Sequence, residues 1–146
     1  FYLSGRFIRL FHAHSEDVYL RMYPNLEIEE KLKMFNIPKI SRLDNEERKS
    51  DIVGYGDIHG AFIDYLEDGK ILFNVGSVGC PYDNIPMASY VILEGEYGMK
   101  EQSSFGINFR RVKYDNEKVI EEAREKQIPD LNIFIKEIRS GKFLRL

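Results

Sequence analysis

An α/β fold with a mainly antiparallel sheet is the architecture this sequence predicts, and three observations carry it. Short apolar runs of strand composition stop at glycines, as in Ile52-Val53-Gly54-Tyr55-Gly56 and Ile71-Leu72-Phe73-Asn74-Val75-Gly76. The segment from Phe105 to Val112 alternates, with Phe105, Ile107 and Phe109 on one side and Asn108 and Arg110 on the other. Two stretches near the C-terminus carry apolar residues at helical spacing.

Bulk composition sets the limits. A chain of 146 residues that is 43% hydrophobic and 31% charged has the make-up of one globular domain with its own core. A formal net charge of -3 argues against a strong electrostatic footprint for nucleic acid. The single Cys80 excludes an intramolecular disulfide, and no apolar segment approaches bilayer-spanning length, so a cytoplasmic protein without membrane association is expected. The chain starts at Phe1 rather than Met and carries no charged and apolar leader pattern. The expectation is that residues upstream are missing.

Taken in order, Tyr2 to His12 reads as a strand, with Arg6-Phe7-Ile8-Arg9-Leu10-Phe11 interleaving apolar and cationic side chains before a histidine-bearing loop. Ser15 is placed to cap a short helix through Leu20, acids first, ending near Pro24. Asn25 is expected to cap an amphipathic surface helix over Leu26–Phe35, whose alternating charges read as a solvated face. Pro38 stops that helix from continuing, and Arg42–Arg48 has the composition for a helical turn or more. Asp68-Gly69 between two apolar runs predicts a hairpin. Ala88–Glu94 is a further strand. Tyr114-Asp115-Asn116 opens a helix to about Lys126, with Val119, Ile120 and Ala123 as its apolar stripe. Pro129-Asp130 opens a second, with Leu131, Ile133, Phe134, Ile135 and Ile138 facing inward and Ser140-Gly141 ending it.

Candidate chemistry gathers at two strand ends. In Gly56-Asp57-Ile58-His59, an extended backbone would project Asp57 and His59 to the same side, a spacing that suits a metal and equally suits a polar strand end closing a loop. His12 and His14 are two of only three histidines, and each reads as a ligand or acid-base group or else as a hydrogen-bonded structural residue. The loop Gly76-Ser77-Val78-Gly79-Cys80-Pro81 is able to offer backbone amides to an anion, but it lacks the lysine and spacing of a P-loop and reads more simply as a tight turn.

These segments, in this order, resemble the second half of a calcineurin-like metallophosphoesterase of the compact bacterial phosphatase and phosphodiesterase branch. Arg9-Leu10-Phe11-His12-Ala13 is similar to that family's strand followed by a metal-binding His-Gly or His-Ala. Gly56-Asp57-Ile58-His59 is similar to its Gly-His-x-His signature, and Asn74-Val75-Gly76-Ser77 to its Asn-x-Gly-Ser motif. Phe109–Asp115 resembles the branch's last strand and the entry to its terminal helix. Order and spacing together cover nearly the whole chain.

The resemblance implies a four-layer α/β/β/α sandwich, of which residues 1–146 would be a single domain forming the C-terminal portion. It further implies a dinuclear centre of divalent or transition-metal ions, manganese, iron, zinc or magnesium, at which a metal-bound hydroxide hydrolyses phosphoesters. His12 and Asp57 would bind the second metal and His59 the first, with no catalytic residue beyond these ligands. His14 stands at no family ligand position; it would line the phosphate pocket or make a loop hydrogen bond. Aspartate at position 57, where the pattern has histidine, favours a harder metal over zinc. The family's first-half motifs, Asp-x-His, Gly-Asp and Gly-Asn-His, are not in this chain, so the remaining ligands are expected from a missing N-terminal segment or a partner chain.

The expected substrates are a phosphorylated small molecule, a nucleotide or a phosphoprotein, and a homo-oligomer is compatible with the sequence. The competing reading is a non-catalytic partner-binding remnant of the same fold, with a metabolite-binding domain third.

Overall fold

The computed structural model describes residues 1–37 and 49–145. The expected turn at Arg42–Arg48, and Pro38 before it, lie outside the described residues. Seven strands and three helices follow one another as β1 (Tyr2–Leu3), β2 (Arg6–Phe11), α1 (Ile28–Lys33), β3 (Ile52–Tyr55), β4 (Phe62–Tyr65), β5 (Ile71–Asn74), β6 (Ala88–Glu94), β7 (Gly106–Val112), α2 (Asn116–Glu125) and α3 (Leu131–Ser140) among the described residues.

The strands form a five-stranded sheet in the order β1-β2-β3-β5-β4 and a two-stranded sheet of β6 and β7. Among the described residues three of the five strand pairings are antiparallel, in keeping with the sequence, and the parallel ones, β2 with β3 and β3 with β5, occupy the centre of the larger sheet. Burial explains their composition. All four residues of β3 and of β5 are buried, which the near-continuous apolar runs Ile-Val-Gly-Tyr and Ile-Leu-Phe-Asn encode.

Each face of this sheet has its own core. On one face Leu3, Ile8, Ile52, Ile71 and Phe73 meet Val91, Leu93, Phe105, Ile107 and Phe109 from the two-stranded sheet and the residue before β7. The alternation predicted for Phe105–Val112 therefore packs sheet against sheet. On the other face Val53, Tyr55 and Leu72 are covered by Met22, Met34 and Phe35 from the excursion between β2 and β3. Gly54 sits where the Phe73 ring crosses β3; an added Cβ would collide with that ring and lie 2.7 Å from Leu10 Cδ2.

The hairpin between β4 and β5 turns at Asp68 and Gly69, both at positive φ (55° and 70°), the geometry for which Asp-Gly is suited. Asp115 caps α2 by accepting a hydrogen bond from Lys118 N at 3.0 Å, and Gly141 ends α3 at φ 65°. Among the described residues no helix is long and apolar enough to cross a membrane.

Two helix expectations need correction. Residues 15–20 are bends and turns rather than a helix: Asp17 Oδ1 accepts from Tyr19 N at 2.9 Å and His14 Nδ1 from Glu16 N at 3.1 Å, so local side chains take the amides a helix would use. The following helix is shorter than Leu26–Phe35 and starts after Glu27, without a side-chain cap from Asn25. Nor is its charged face wholly solvated. Lys31 is 8% exposed, donating to Pro24 O at 2.6 Å and pairing with Asp64 at 2.7 Å.

Candidate functional site

Parallel strands deliver their C-terminal ends to one edge of a sheet, and ligands of α/β proteins gather at such edges. Here Phe11, Tyr55 and Asn74 are neighbours in one row of the register, so the loops after β2, β3 and β5 begin side by side. Backbone bonds continue the row. Gly56 N donates to His12 O at 2.9 Å and Val75 N to Tyr55 O at 3.0 Å. Asn74, fully buried, ties two of the loops: its Nδ2 donates to Gly56 O, and its Oδ1 accepts from Gly76 N at 2.9 Å. The role of this amide, last in an otherwise apolar strand, explains why the run Ile-Leu-Phe breaks at Asn.

The row brings His12 against the Gly56–His59 loop, where a Cβ on Gly56 would stand 3.4 Å from His12 Nδ1. That loop is not extended. Ile58 N donates to Gly56 O at 2.9 Å across Asp57, whose φ is 69°, making a γ-turn of the rarely populated positive-φ kind, and His59 follows at φ 60°. Asp57 and His59 thus do not present themselves through simple strand alternation as expected. Left-handed conformations at non-glycine residues cost about 1–3 kcal/mol each and cluster at functional sites.

His59 Nδ1 lies 2.9 Å from Cys80 O. A carbonyl only accepts, so Nδ1 carries the proton and, in the neutral ring, Nε2 keeps its lone pair. This is how metal-binding imidazoles are commonly oriented, by a backbone carbonyl on the far nitrogen. The ring also stacks on Tyr82, with centroids 5.2 Å apart and planes at 19°. Asp57 turns its carboxylate to Arg21, whose Nη1 donates to Oδ1 at 2.7 Å. His14 is buried in its own loop with Nδ1 accepting from Glu16 N, the loop hydrogen bond rather than a place on the cavity described next.

Among the described residues, no group of three or more His, Cys, Asp or Glu side chains is arranged to hold a metal ion. The structure brings His12 beside the Asp57–His59 loop but does not close the three into one cluster. The donor chemistry fits a divalent or transition metal, with His59 prepared by Cys80 O and a carboxylate at Asp57; the count fits part of a site.

A cavity of about 540 Å³ opens beside Asp57, with Arg21, Tyr23, Tyr82, Asp83 and Phe143 among its walls. Asp83 is fixed by a two-point pair with Arg111 (3.1 and 2.5 Å) and accepts from Ala61 N at 2.9 Å. Behind Tyr82 lies Glu137, 1% exposed, with Tyr82 Oη at 3.5 Å, Leu144 N at 3.0 Å and Arg145 Nε at 3.3 Å. Burial pushes the Tyr82 phenol and the Cys80 thiol up from their ordinary pKa values; they are bonded to each other at 3.2 Å. Arg21, Tyr82, Glu137 and Phe143 went unnoticed in the sequence, where only a cation inside Leu20-Arg21-Met22 and a carboxylate beside the stripe residue Ile138 hinted at them.

No family model matches this chain. An uncharacterized protein of Methanocaldococcus jannaschii is 37% identical over 73 residues, which are 50% of this chain and 27% of that protein. A metallophosphoesterase from Sphaerobacter thermophilus superposes with a TM-score of 0.59 at 16% identity, covering 92% of this chain and 54% of that one. A hypothetical protein from Pyrococcus horikoshii superposes with a TM-score of 0.67 at 13% identity, covering 97% and 49%. The chain therefore shares the mixed α/β fold of part of each of these two solved proteins, and it spans 27% of its curated relative and about half of each solved chain.

Proposed function

We propose that this chain contributes metal ligands to a phosphoester hydrolase, a phosphatase or phosphodiesterase, whose remaining ligands come from further sequence or a partner chain. The observation that carries this reading is the in-register row Phe11–Tyr55–Asn74, which sets His12 against the loop of Asp57 and His59 at the carboxyl edge of a parallel sheet. The metallophosphoesterase-like fold supports the same chemistry. His59 would bind through Nε2, held in that tautomer by Cys80 O. His12 and Asp57 would supply the second set of donors, with Arg21 released from Asp57 as the carboxylate turns to metal. Bound metal would supply Lewis-acid stabilisation of the phosphoryl oxygens and acidify an attacking water.

The second reading, a partner-binding remnant of the fold, is favoured by the Arg21–Asp57 ion pair and by the absence of a gathered three-donor group among the described residues. Manganese binding by calorimetry and hydrolysis of bis(p-nitrophenyl) phosphate separate the two. The hydrolase reading expects bound manganese, with affinity and any turnover reduced by at least about tenfold in His59→Ala, the scale on which metal sites respond to damage. Absence of both metal and turnover, even in a longer protein carrying the remaining ligands, would establish the remnant.

A further inference from the structure

One short stretch of chain, residues 80–82, grips His59 at three points. Cys80 O accepts from Nδ1 at 2.9 Å, Tyr82 N donates to His59 O at 3.0 Å, and the Tyr82 ring stacks on the imidazole with planes at 19°. Pro81 between them is buried, and its own ring fixes φ, so the backbone sets the spacing of carbonyl, amide and phenol. The grip answers a need. His59 stands at φ 60°, which a non-glycine residue keeps only where its surroundings over-determine it. A hydrogen bond on Nδ1 fixes one atom and leaves the imidazole free to swing about it. A second ring packed nearly parallel fixes the plane, and with it the direction of Nε2.

Tyr82 is not filling for the sheet. Neither of the two cores includes it among the described residues. Its contacts are His59, the edge-to-face ring of Phe143 with centroids 5.0 Å apart, and two polar groups. Oη donates to Glu137 Oε2 at 3.5 Å and accepts from Cys80 Sγ at 3.2 Å, an order that follows because an ionised carboxylate only accepts. Glu137 is itself fixed, buried in α3 and bonded by Leu144 N and Arg145 of the tail. Support therefore runs from α3 through the phenol to the imidazole. A tyrosine meant to give a proton to substrate would keep its hydroxyl for the site, whereas this hydroxyl is spent on anchoring the ring.

Resting on the reading of His59 as a metal ligand, we infer that Tyr82 is the positioning residue of this site: its ring sets the plane of the imidazole and keeps Nε2 turned to the metal. Its hydroxyl, held by Glu137 and Cys80, takes no part in proton transfer.

Long-range proton–nitrogen NMR correlation on the metal-free chain at about pH 8, where an ordinary imidazole is neutral, reads the tautomer and packing of His59. The native chain is expected to show Nδ1–H alone, with the His59 ring protons moved upfield by the stacked phenol. Tyr82→Phe keeps the face and should keep both signatures, whereas Tyr82→Leu should lose the upfield shift and give a mixture of tautomers. Manganese affinity by calorimetry should stay within about twofold in Tyr82→Phe and weaken at least about tenfold in Tyr82→Leu, the scale of lost outer-shell support. Absence of the upfield shift in the native chain, a lone Nδ1–H tautomer surviving in Tyr82→Leu, or loss of the tautomer in Tyr82→Phe would each overturn the inference. The first and last are read without Tyr82→Leu, so failure of that variant to fold does not shelter the inference. The NMR signatures also need no metal. If they appear as expected and a longer protein binds no manganese, only the hydrolase reading falls; if manganese binds native chain and Tyr82→Leu alike, only the inference does.

Discussion

Arg21 and Asp57 make the sharpest test at the level of single residues. Their ion pair joins a half-exposed guanidinium to a largely buried carboxylate, and pairs near the surface are worth about 0–1 kcal/mol. If that carboxylate serves a metal, Arg21→Ala removes a competitor, and manganese affinity should rise by up to about fivefold in calorimetry. Affinity unchanged in Asp57→Ala as well would remove Asp57 from the ligand set. Gly54 tests packing instead. A methyl group there meets the Phe73 ring and Leu10, so Gly54→Ala should destabilise the fold by about 1–3 kcal/mol in urea unfolding, the usual range for overpacking. The same crossing ring explains why a strand otherwise rich in β-branched and aromatic residues carries glycine at its centre.

Among elements, the C-terminal tail depends on a buried charge. Glu137→Ala deletes the acceptor for Leu144 N and the partner of Arg145; losing such bonds costs about 1–3 kcal/mol, and limited trypsin digestion should then cut after Lys142 well before the native chain is cut. Elements whose signals are local were legible in the sequence. The Asp68-Gly69 hairpin, the alternating β7, the Asp115 cap and the Gly141 stop each lie where a reader of neighbouring residues would put them. The expected helix over 15–20 failed because Asp17 and His14 bond the backbone two residues on, a choice that acids-first composition does not reveal. At the site, His12, Asp57 and His59 were visible as residue types at strand ends. The left-handed turn through Asp57 was not, since the amide that ties it down, Asn74, arrives from another strand. Tyr82 and Phe143 were hidden for the same reason: their meeting is tertiary.

For the molecule as a whole, pH acts through groups that folding holds neutral. Burial raises the Tyr55 phenol, whose Oη donates to Met22 O at 2.5 Å, and likewise raises Tyr82, Tyr114 and the Cys80 thiol. For an acid with a raised folded-state pKa, the native state binds more protons than the unfolded state once pH passes the unfolded value. Its stabilisation is therefore complete below that value and is lost as pH climbs toward the folded one. With ordinary values of 9.0 for cysteine and 10.0 for tyrosine, urea midpoints should hold steady to about pH 8 and fall progressively above about pH 9. Iodoacetamide should correspondingly modify native Cys80 more slowly than the urea-unfolded chain at pH 8.5, a rate ratio that mass spectrometry reads directly. One further property follows from the shared row of Phe11, Tyr55 and Asn74. Three loops rooted in a single rung of the ladder shift only if the rung shifts, so the floor of the site behaves as one rigid plate, and adaptation to a new ligand falls to exposed side chains at its rim, Tyr23 and Phe143, rather than to the Met22 backbone that Tyr55 holds.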